Sequence, residues 1–327
     1  MILLGCSDAG PAKYIAELVN RIPDSVIVTN RKNENFFKKS KLITIEEAEL
    51  LTPKLVVTGT SLNRLEENID KSLLIFSRQK KIPSVSIVEH WSWYYKRFEL
   101  GQELLLPDYI ILNDKIALEE ALYAGLPRNK LKVLGNPSLE MLSIKNRLKK
   151  CQKNLRKKYE IPENKKVIFF ISEELESSFP TSSKDFLGYN EYNVFNTLKS
   201  LLRPTDHLVV KLHPEESNTK FAKEKSHQIS ILKDCPTEDI VILADAIVGM
   251  ASMLLLELSI HRDDIISFRP NATKNFIGKQ LGVVSDLQSE KELDSALRVG
   301  VHAKNTIKDQ FNGSTDRIVN FLLGTAK

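Results

Sequence analysis

The chain has 327 residues, 42% apolar and 27% charged, which excludes a disordered or fibrous protein. It exceeds what one hydrophobic core usually serves, so two domains of about 150 residues are expected. Cys6, Cys151 and Cys235 lack metal or redox spacing and fit a reducing, cytoplasmic location, and no stretch reaches membrane-spanning length. The net charge of +5 comes from residues 1–150, with 23 Lys or Arg against 18 acids, and nothing in its pattern points to nucleic acid.

Apolar, β-branched runs alternate with amphipathic stretches, the rhythm of βαβ units and parallel sheets. In the first half the predicted strands are 1–5, 25–29, 55–58, 84–89, 109–112 and 132–135. The first, Ile2-Leu3-Leu4-Gly5-Cys6, has the look of a lipoprotein cleavage box, but no basic or apolar region precedes it and it reads as a buried strand. Its loop, Ser7-Asp8-Ala9-Gly10-Pro11, lacks G-x-G-x-x-G, so NAD is not expected. Gly10 permits close approach of a ligand, and Asp8 is either a general base or a helix cap. Helices are predicted over 11–21 and 65–80, and Thr44 to Glu47 forms a capping box. Strand 84–89 delivers Glu89, His90, Trp91, Trp93, Tyr94 and Tyr95, the densest aromatic cluster in the chain. Aromatic faces suit a sugar, and Glu89 or His90 could deprotonate a hydroxyl. A cluster packed inside the fold would read the same way.

The run 145–158, from Lys145 to Lys158, holds eight basic residues and no acid. It reads as a solvated linker helix or as a peripheral contact with an anionic membrane at the inner face. The predicted division is a first domain over 1–145, a linker over 146–164, a second domain over 165–313 and a terminal helix over 314–327, capped by Ser314.

The second series of strands is 166–172, 208–212, 228–232, 240–244, 265–268 and 282–285. The aperiodic segment 173–192 is either a lid or an insertion. Strand 208–212 runs into Lys211-Leu212-His213-Pro214, where two cationic side chains on one side of a strand end could clamp a phosphate. A structural histidine is the alternative. After 240–244, a loop containing Gly249 leads to Ser252, a natural cap for an apolar helix whose sole charge is Glu257. Free N–H groups there suit a phosphate, and Glu257 would pair within the fold or accept ribose hydroxyls. Two doubly wound sheets would present their strand ends to a cleft.

In order, Gly135-Asn136-Pro137, Lys211-Leu212-His213-Pro214, the series Asp245, Ser252 and Glu257, and Phe268-Arg269-Pro270 resemble the pattern of GT-B glycosyltransferases over residues 84–270. The His-Pro pair is similar to that of bacterial sialyltransferases, Kdo transferases and glycerophosphotransferases, and the set is also similar to UDP-GlcNAc 2-epimerases. The resemblance implies an α/β fold of two Rossmann-like domains, an N-terminal acceptor domain and a C-terminal donor domain. It implies that His213 touches a donor phosphate, that Ser252 and Met253 offer N–H groups, and that Glu257 holds the ribose. Ser172 and Glu173 would line the same pocket, while Asn136 and Arg269 would lie at the cleft. Glu89 matches an epimerase glutamate, but the Ala-Gly-Leu-Arg that should follow it is absent.

These readings predict a glycosyltransferase that needs neither cofactor nor metal, there being no D-x-D motif. It would move a sugar from a CMP- or UDP-linked donor to a glycan or glycolipid acceptor, in polysaccharide biosynthesis. An epimerase or hydrolase acting on donor alone and a non-catalytic binding protein are the alternatives.

Overall fold

The computed structural model describes residues 1–62, 68–144, 152–305, 307 and 310–326. The chain divides into two compact units, Met1–Met141 with Phe311–Lys327, and Leu142–Gln310.

The first unit is built on β1 (Ile2–Cys6), β2 (Ser25–Thr29), β3 (Leu55–Thr58), β4 (Ser84–Val88), β7 (Tyr109–Leu112) and β8 (Leu131–Val133), with a two-residue hairpin of β5 (Glu99–Leu100) and β6 (Glu103–Leu104). The strands are parallel in the order β2-β1-β3-β4-β7-β8. Their central residues are almost wholly apolar because helices cover both faces of the sheet. One face, with Leu4, Val57 and Ile87, packs on helix Ala9–Val19 through Ala12, Ile15 and Leu18. Ile318, Val319 and Leu322 of the last helix, Ser314–Thr325, belong to that same core, so the chain returns to the first unit at its end.

The second unit contains β9 (Lys166–Ile171), β10 (Asp206–Lys211), β11 (Ile229–Leu232), β12 (Ala246–Gly249), β13 (Ile265–Phe268) and β14 (Ser285–Leu287). All are parallel, in the order β11-β10-β9-β12-β13-β14. The two orders reverse direction at different places: between β1 and β3 in the first sheet, and between β9 and β12 in the second.

Three predicted elements differ. Residues 240–243 are helical, within Thr237–Leu243, and the strand follows at β12. Pro236, Glu238 and Asp239 form a helix start, and Ile240 and Leu243 are buried at a helical step of three. Asp245 separates the two apolar runs; its carboxylate accepts from the N–H of Val167 at 2.7 Å and pins the entrance of β12 to β9. The last strand is Ser285–Leu287 rather than 282–285, because Gly282, at φ 70°, ends the helix Ile277–Leu281. Gly313, at φ 74°, caps the last helix in place of Ser314, whose hydroxyl accepts from the N–H of Asn136.

The basic run 145–158 lies outside the described residues as far as 151. Its remainder forms helix Gln152–Lys158 of the second unit. Arg156 there is buried and donates to the carbonyls of Pro162 and Lys165, and Lys158 meets the buried carboxylate of Asp239 at 3.2 Å.

Because Leu322 is fully buried in the first core, Leu322→Ala is expected to cost about 2–5 kcal/mol of stability, read as a lower urea midpoint for the first unit's transition.

Candidate functional site

In a doubly wound sheet, ligands bind outside the carboxyl ends of the strands where the strand order reverses. The second unit therefore directs attention to the loops after β9 and β12. β9 ends in Ser172 and Glu173. β12 ends in Gly249, where a Cβ would meet Leu255 Cδ2 at 2.8 Å, so the absent side chain lets the next helix close on the strand. Ser252 caps that helix, Met253–Ser259, by accepting from the N–H of Leu254 at 3.2 Å. The N–H groups of Met250 and Ala251, just before the cap, both point at the carboxylate of Glu173, with the Ala251 bond 2.8 Å long. Burial pushes the Glu173 carboxyl up to about 7, with Glu191 and Glu216 adding repulsion that the two N–H groups only partly offset. Met253 and Glu257 are half-buried on the following helix.

His213 leaves the end of β10 on a loop held from below. Its backbone N–H donates to Glu216 Oε2 at 2.6 Å, and Ser172 Oγ donates to Glu216 Oε1 at 2.7 Å. Lys220 bridges Glu216, at 2.6 Å, and Glu191. Glu191 in turn accepts from the N–H groups of Leu175 and Glu176 at 3.1 and 3.0 Å. This buried Ser172, Glu216, Lys220 and Glu191 network joins the start of segment 173–192 to the His213 loop. Helix Leu175–Ser178 within that segment is thus tied to the sheet. Nδ1 of His213 accepts from the N–H of Glu215 at 3.2 Å, which assigns the ring hydrogen to Nε2. Burial lowers the ring's pKa, so near neutral pH it is an uncharged N–H donor.

Lys211 does not join His213 as a clamp. It is buried, its Nζ donates to the carbonyl of Leu212 at 2.7 Å, and burial lowers its pKa. Pro214 is exposed beside the imidazole. Arg269, 2% exposed, is also committed inside the fold: Nε and Nη2 donate to Asp286, Nη1 to the carbonyl of Lys274.

In the first unit the reversal lies between β1 and β3. Ser7 and Asp8 follow β1, and Gly59 and Thr60 follow β3. Asp70, on helix Ile69–Lys80, reaches this point: Oδ2 accepts from the N–H of Ser7 at 3.2 Å, and Oδ1 is buried without a partner. A Cβ on Gly59 would stand 2.9 Å from that Oδ1 and 2.4 Å from Pro11, and a Cβ on Gly10 would stand 2.9 Å from Glu89 Oε1. The two glycines bring Asp70, Pro11 and Glu89 into one place. Glu89 is half-buried, with Oε2 lacking a partner. Burial raises its pKa, opposed by Arg97 and reinforced by Asp8. Burial raises Asp70 to about 7, opposed by Ser7 and reinforced by Asp8 and Glu89.

His90 bonds Ser92 Oγ through Nδ1 at 2.8 Å, and burial together with Arg97 drives its pKa down to about 3, which leaves a neutral ring with little power as a base. Arg97 is buried and donates to the carbonyls of Thr60 and Ser92. Trp91 is no sugar platform: it is 6% exposed, donates from Nε1 to Asp114 at 2.9 Å and packs near Phe311. Trp93, 40% exposed, remains a surface ring, with Lys96 over it at 5.3 Å. Asn136 is buried; its Nδ2 donates to Asn113, which donates to the carbonyl of Glu89, so it supports the site from beneath.

The structure thus gathers Ser172, Glu173, His213, Gly249, Ser252 and Met253 at one reversal, and Asp8, Gly10 and Glu89 at the other. Asp70, Arg97, Glu191, Glu216 and Lys220 were not singled out from the sequence. Only the helix-period burial of position 70 carried any signal for them.

Two measurements follow from these buried charges. Lys220→Met leaves Glu191 and Glu216 facing each other without their cation and is expected to cost about 3–5 kcal/mol, read by urea unfolding. For Asp70, the folded carboxyl keeps its proton to about 7, whereas the unfolded one loses it at its ordinary 3.8. Its contribution is present in full below the unfolded value and is lost as pH rises to about 7, with a slope approaching 1.4 kcal/mol per pH unit. Asp70→Asn removes that slope, so its stabilising effect should be largest in alkaline buffer and absent in acid. Urea midpoints across pH read it directly.

No protein-family model matches the sequence, and no curated protein matches it. Solved structures do. S. aureus MnaA with UDP aligns at 15% identity and TM-score 0.68, covering 99% of this chain and 97% of that one. The UDP-GlcNAc 2-epimerase of Neisseria meningitidis bound to UDP-GlcNAc aligns at 14% identity and TM-score 0.67, covering 99% of both. Anabaena HepE in complex with UDP and glucose aligns at 11% identity and TM-score 0.61, covering 100% of this chain and 97% of that one. At these identities the likeness concerns architecture, and the chain has the GT-B fold shared by UDP-GlcNAc 2-epimerases and glycosyltransferases.

Proposed function

We propose that the chain is a nucleotide-sugar enzyme, a metal-independent glycosyltransferase whose second unit binds a UDP- or CMP-linked donor and whose first unit binds an acceptor hydroxyl. The observation that carries this reading is the pair of N–H groups at Met250 and Ala251 converging on a carboxylate at the sheet's reversal, with a neutral imidazole donor on the neighbouring loop. Groups that hold a carboxylate in this way suit a phosphate oxygen. In this reading the donor phosphate replaces the Glu173 carboxylate on those N–H groups. His213 Nε2 donates to the same phosphate and stabilises charge as the sugar departs. Glu257, on the partly exposed face of the helix after Ser252, is the candidate ribose partner. Glu89 is the candidate base, since burial raises its proton affinity while Arg97 limits the rise. Asp8 is the second candidate, and His90 is set aside because its ring holds a proton too weakly.

An epimerase or hydrolase acting on donor alone is the second reading, favoured by the likeness to the epimerase structures with UDP and UDP-GlcNAc. Incubation with UDP-GlcNAc in the absence of acceptor separates the two. Epimer or free sugar in the proton NMR spectrum would select the second reading, and an unchanged donor the first. Turnover insensitive to EDTA is expected in either case.

The donor site itself is tested by the melting temperature in the presence of UDP and CMP, which a ligand of the folded state raises. His213→Ala should abolish most of the shift. Ionised Glu173 competes with the phosphate, so affinity should weaken as pH rises above about 7, by up to about tenfold per unit, and Glu173→Gln should bind more tightly with that dependence removed. Absence of any nucleotide shift, or equal shifts in wild type and His213→Ala, would overturn the reading.

A further inference from the structure

The amino edge of the first sheet holds a cavity of about 750 Å³, within the range of small-molecule sites. It is lined by Pro83, Ser84, Asp108 and Tyr109, where β4 and β7 begin. Ser77 and Arg78 of helix Ile69–Lys80, with Lys81 after it, and Gly324 and Thr325 of the last helix complete its polar lining. β4 spans five residues, so at 3.3 Å per residue this place lies roughly 17 Å from the carboxyl edge where Glu89 stands. It belongs to neither reversal.

Arg78 and Lys81 are exposed, and among the described residues neither side chain has a partner. Two further cations stand beside the lining. Lys130 donates to the carbonyl of Pro107 at 2.6 Å, between the lining residues Leu106 and Asp108, and Lys132 Nζ lies 5.3 Å from the centre of the Tyr109 ring. Asp108 is the one acid of the lining, and its Oδ2 accepts from the N–H and the hydroxyl of Ser84 at 2.8 and 3.2 Å. The carboxyl ends of the two helices add about half a negative charge each, so the four cations leave an excess of about two positive charges. Leu74, Ile82, Pro83 and Leu106 give the same cavity an apolar surface, and Phe321 holds the Tyr109 ring edge-on at 5.3 Å.

The geometry points to a second binding site here, for a small phosphate monoester carried on an apolar or aromatic body. Such a group bears about −1.5 to −2 charge at neutral pH, which matches the excess. The Arg78 guanidinium suits two phosphate oxygens, Lys81 adds a point charge, and the body of the ligand rests on Leu106 and Tyr109. The site stands apart from the transferase reading, since both its place and its ligand differ from those of the donor and acceptor sites.

The test uses the full chain with saturating UDP, which occupies the candidate donor site, and titrates phenyl phosphate, inorganic phosphate and phenol by saturation-transfer NMR. Phenyl phosphate is expected to bind at least about tenfold more tightly than inorganic phosphate or phenol. Arg78→Gln combined with Lys81→Gln, both at exposed side chains, should weaken phenyl phosphate by about tenfold and leave phenol unaltered. Gly324→Trp keeps every charge and projects into the cavity from the last helix, where a Cβ would meet nothing within 4 Å, so it should abolish the binding of phenyl phosphate and phenol alike. Equal affinities for phenyl phosphate and inorganic phosphate, or a phenyl phosphate affinity that both variants leave unchanged, would overturn the inference. Melting with UDP in the same samples reports the donor site separately and should be the same in both variants as in the wild type. A chain that UDP does not stabilise loses the donor reading, and keeps this one if the variants still lose phenyl phosphate.

Discussion

A parallel sheet wound in both directions from its middle leaves one gap at its carboxyl edge where neighbouring connections part to opposite faces. Backbone N–H groups there have no ladder or helix partner and must be met by side chains or by a ligand. Both sheets of this chain obey that constraint, at β1/β3 in the first unit and at β9/β12 in the second. Most of the candidate chemistry follows from it. At the second gap the free N–H groups of Met250 and Ala251 find the Glu173 carboxylate. At the first, the N–H of Ser7 finds Asp70.

The two gaps are furnished differently. In the second unit the acids are answered: Glu216 accepts from Ser172, from the N–H of His213 and from Lys220, and Lys220 also meets Glu191. Such a network fixes geometry, because removing any member leaves a buried charge uncompensated. It gives the His213 loop a rigid base, while the N–H of Glu215 sets the tautomer of the imidazole. In the first unit Asp70 Oδ1 and Glu89 Oε2 have no partner, and Arg97 donates to backbone carbonyls. One unit thus turns backbone donors onto a carboxylate, and the other holds buried carboxyl oxygens without donors.

The alternation of strands was legible because each strand is buried on both faces and reads as a nearly unbroken apolar run. The misplacement at 240–249 shows the limit of that signal. Two apolar tetrads flank Asp245, and only the Pro236, Glu238 and Asp239 start distinguishes the helical one from the strand. His213, Ser252 and Gly249 were legible from their position after strand ends. The network beneath them was not, since Glu216 lies 44 residues from Ser172 in sequence and Lys220 lies 29 from Glu191. Trp91, Arg269 and Lys211 have the composition of ligand-binding groups, but burial turns each inward, and burial is a property of the assembled core. The resemblance found in the ordered motifs was sound for the architecture because spacing between strand ends persists where individual residues do not.

Asp70, on the helix after β3, and Glu173, in the loop after β9, each lie beside the reversal point of their own sheet, and burial brings both carboxyls to about 7. Neither helps the fold in its ionised form. A chain selected for stability alone would place an amide or an apolar group there, as the unpartnered Oδ1 of Asp70 makes plain. Local violations of this kind, set at the one point of each sheet where a ligand can reach free backbone groups, separate a binding crevice from a mere gap in packing. Glu173 fills the N–H donors of Met250 and Ala251 and keeps that crevice satisfied. Asp70 accepts from the N–H of Ser7 through Oδ2 alone, and its Oδ1 stays without a partner. Two buried carboxyls beside the reversal points of the two sheets thus differ in their neighbours: Glu173 meets two backbone N–H groups, whereas Asp70 meets the N–H of Ser7 and keeps one oxygen without a partner.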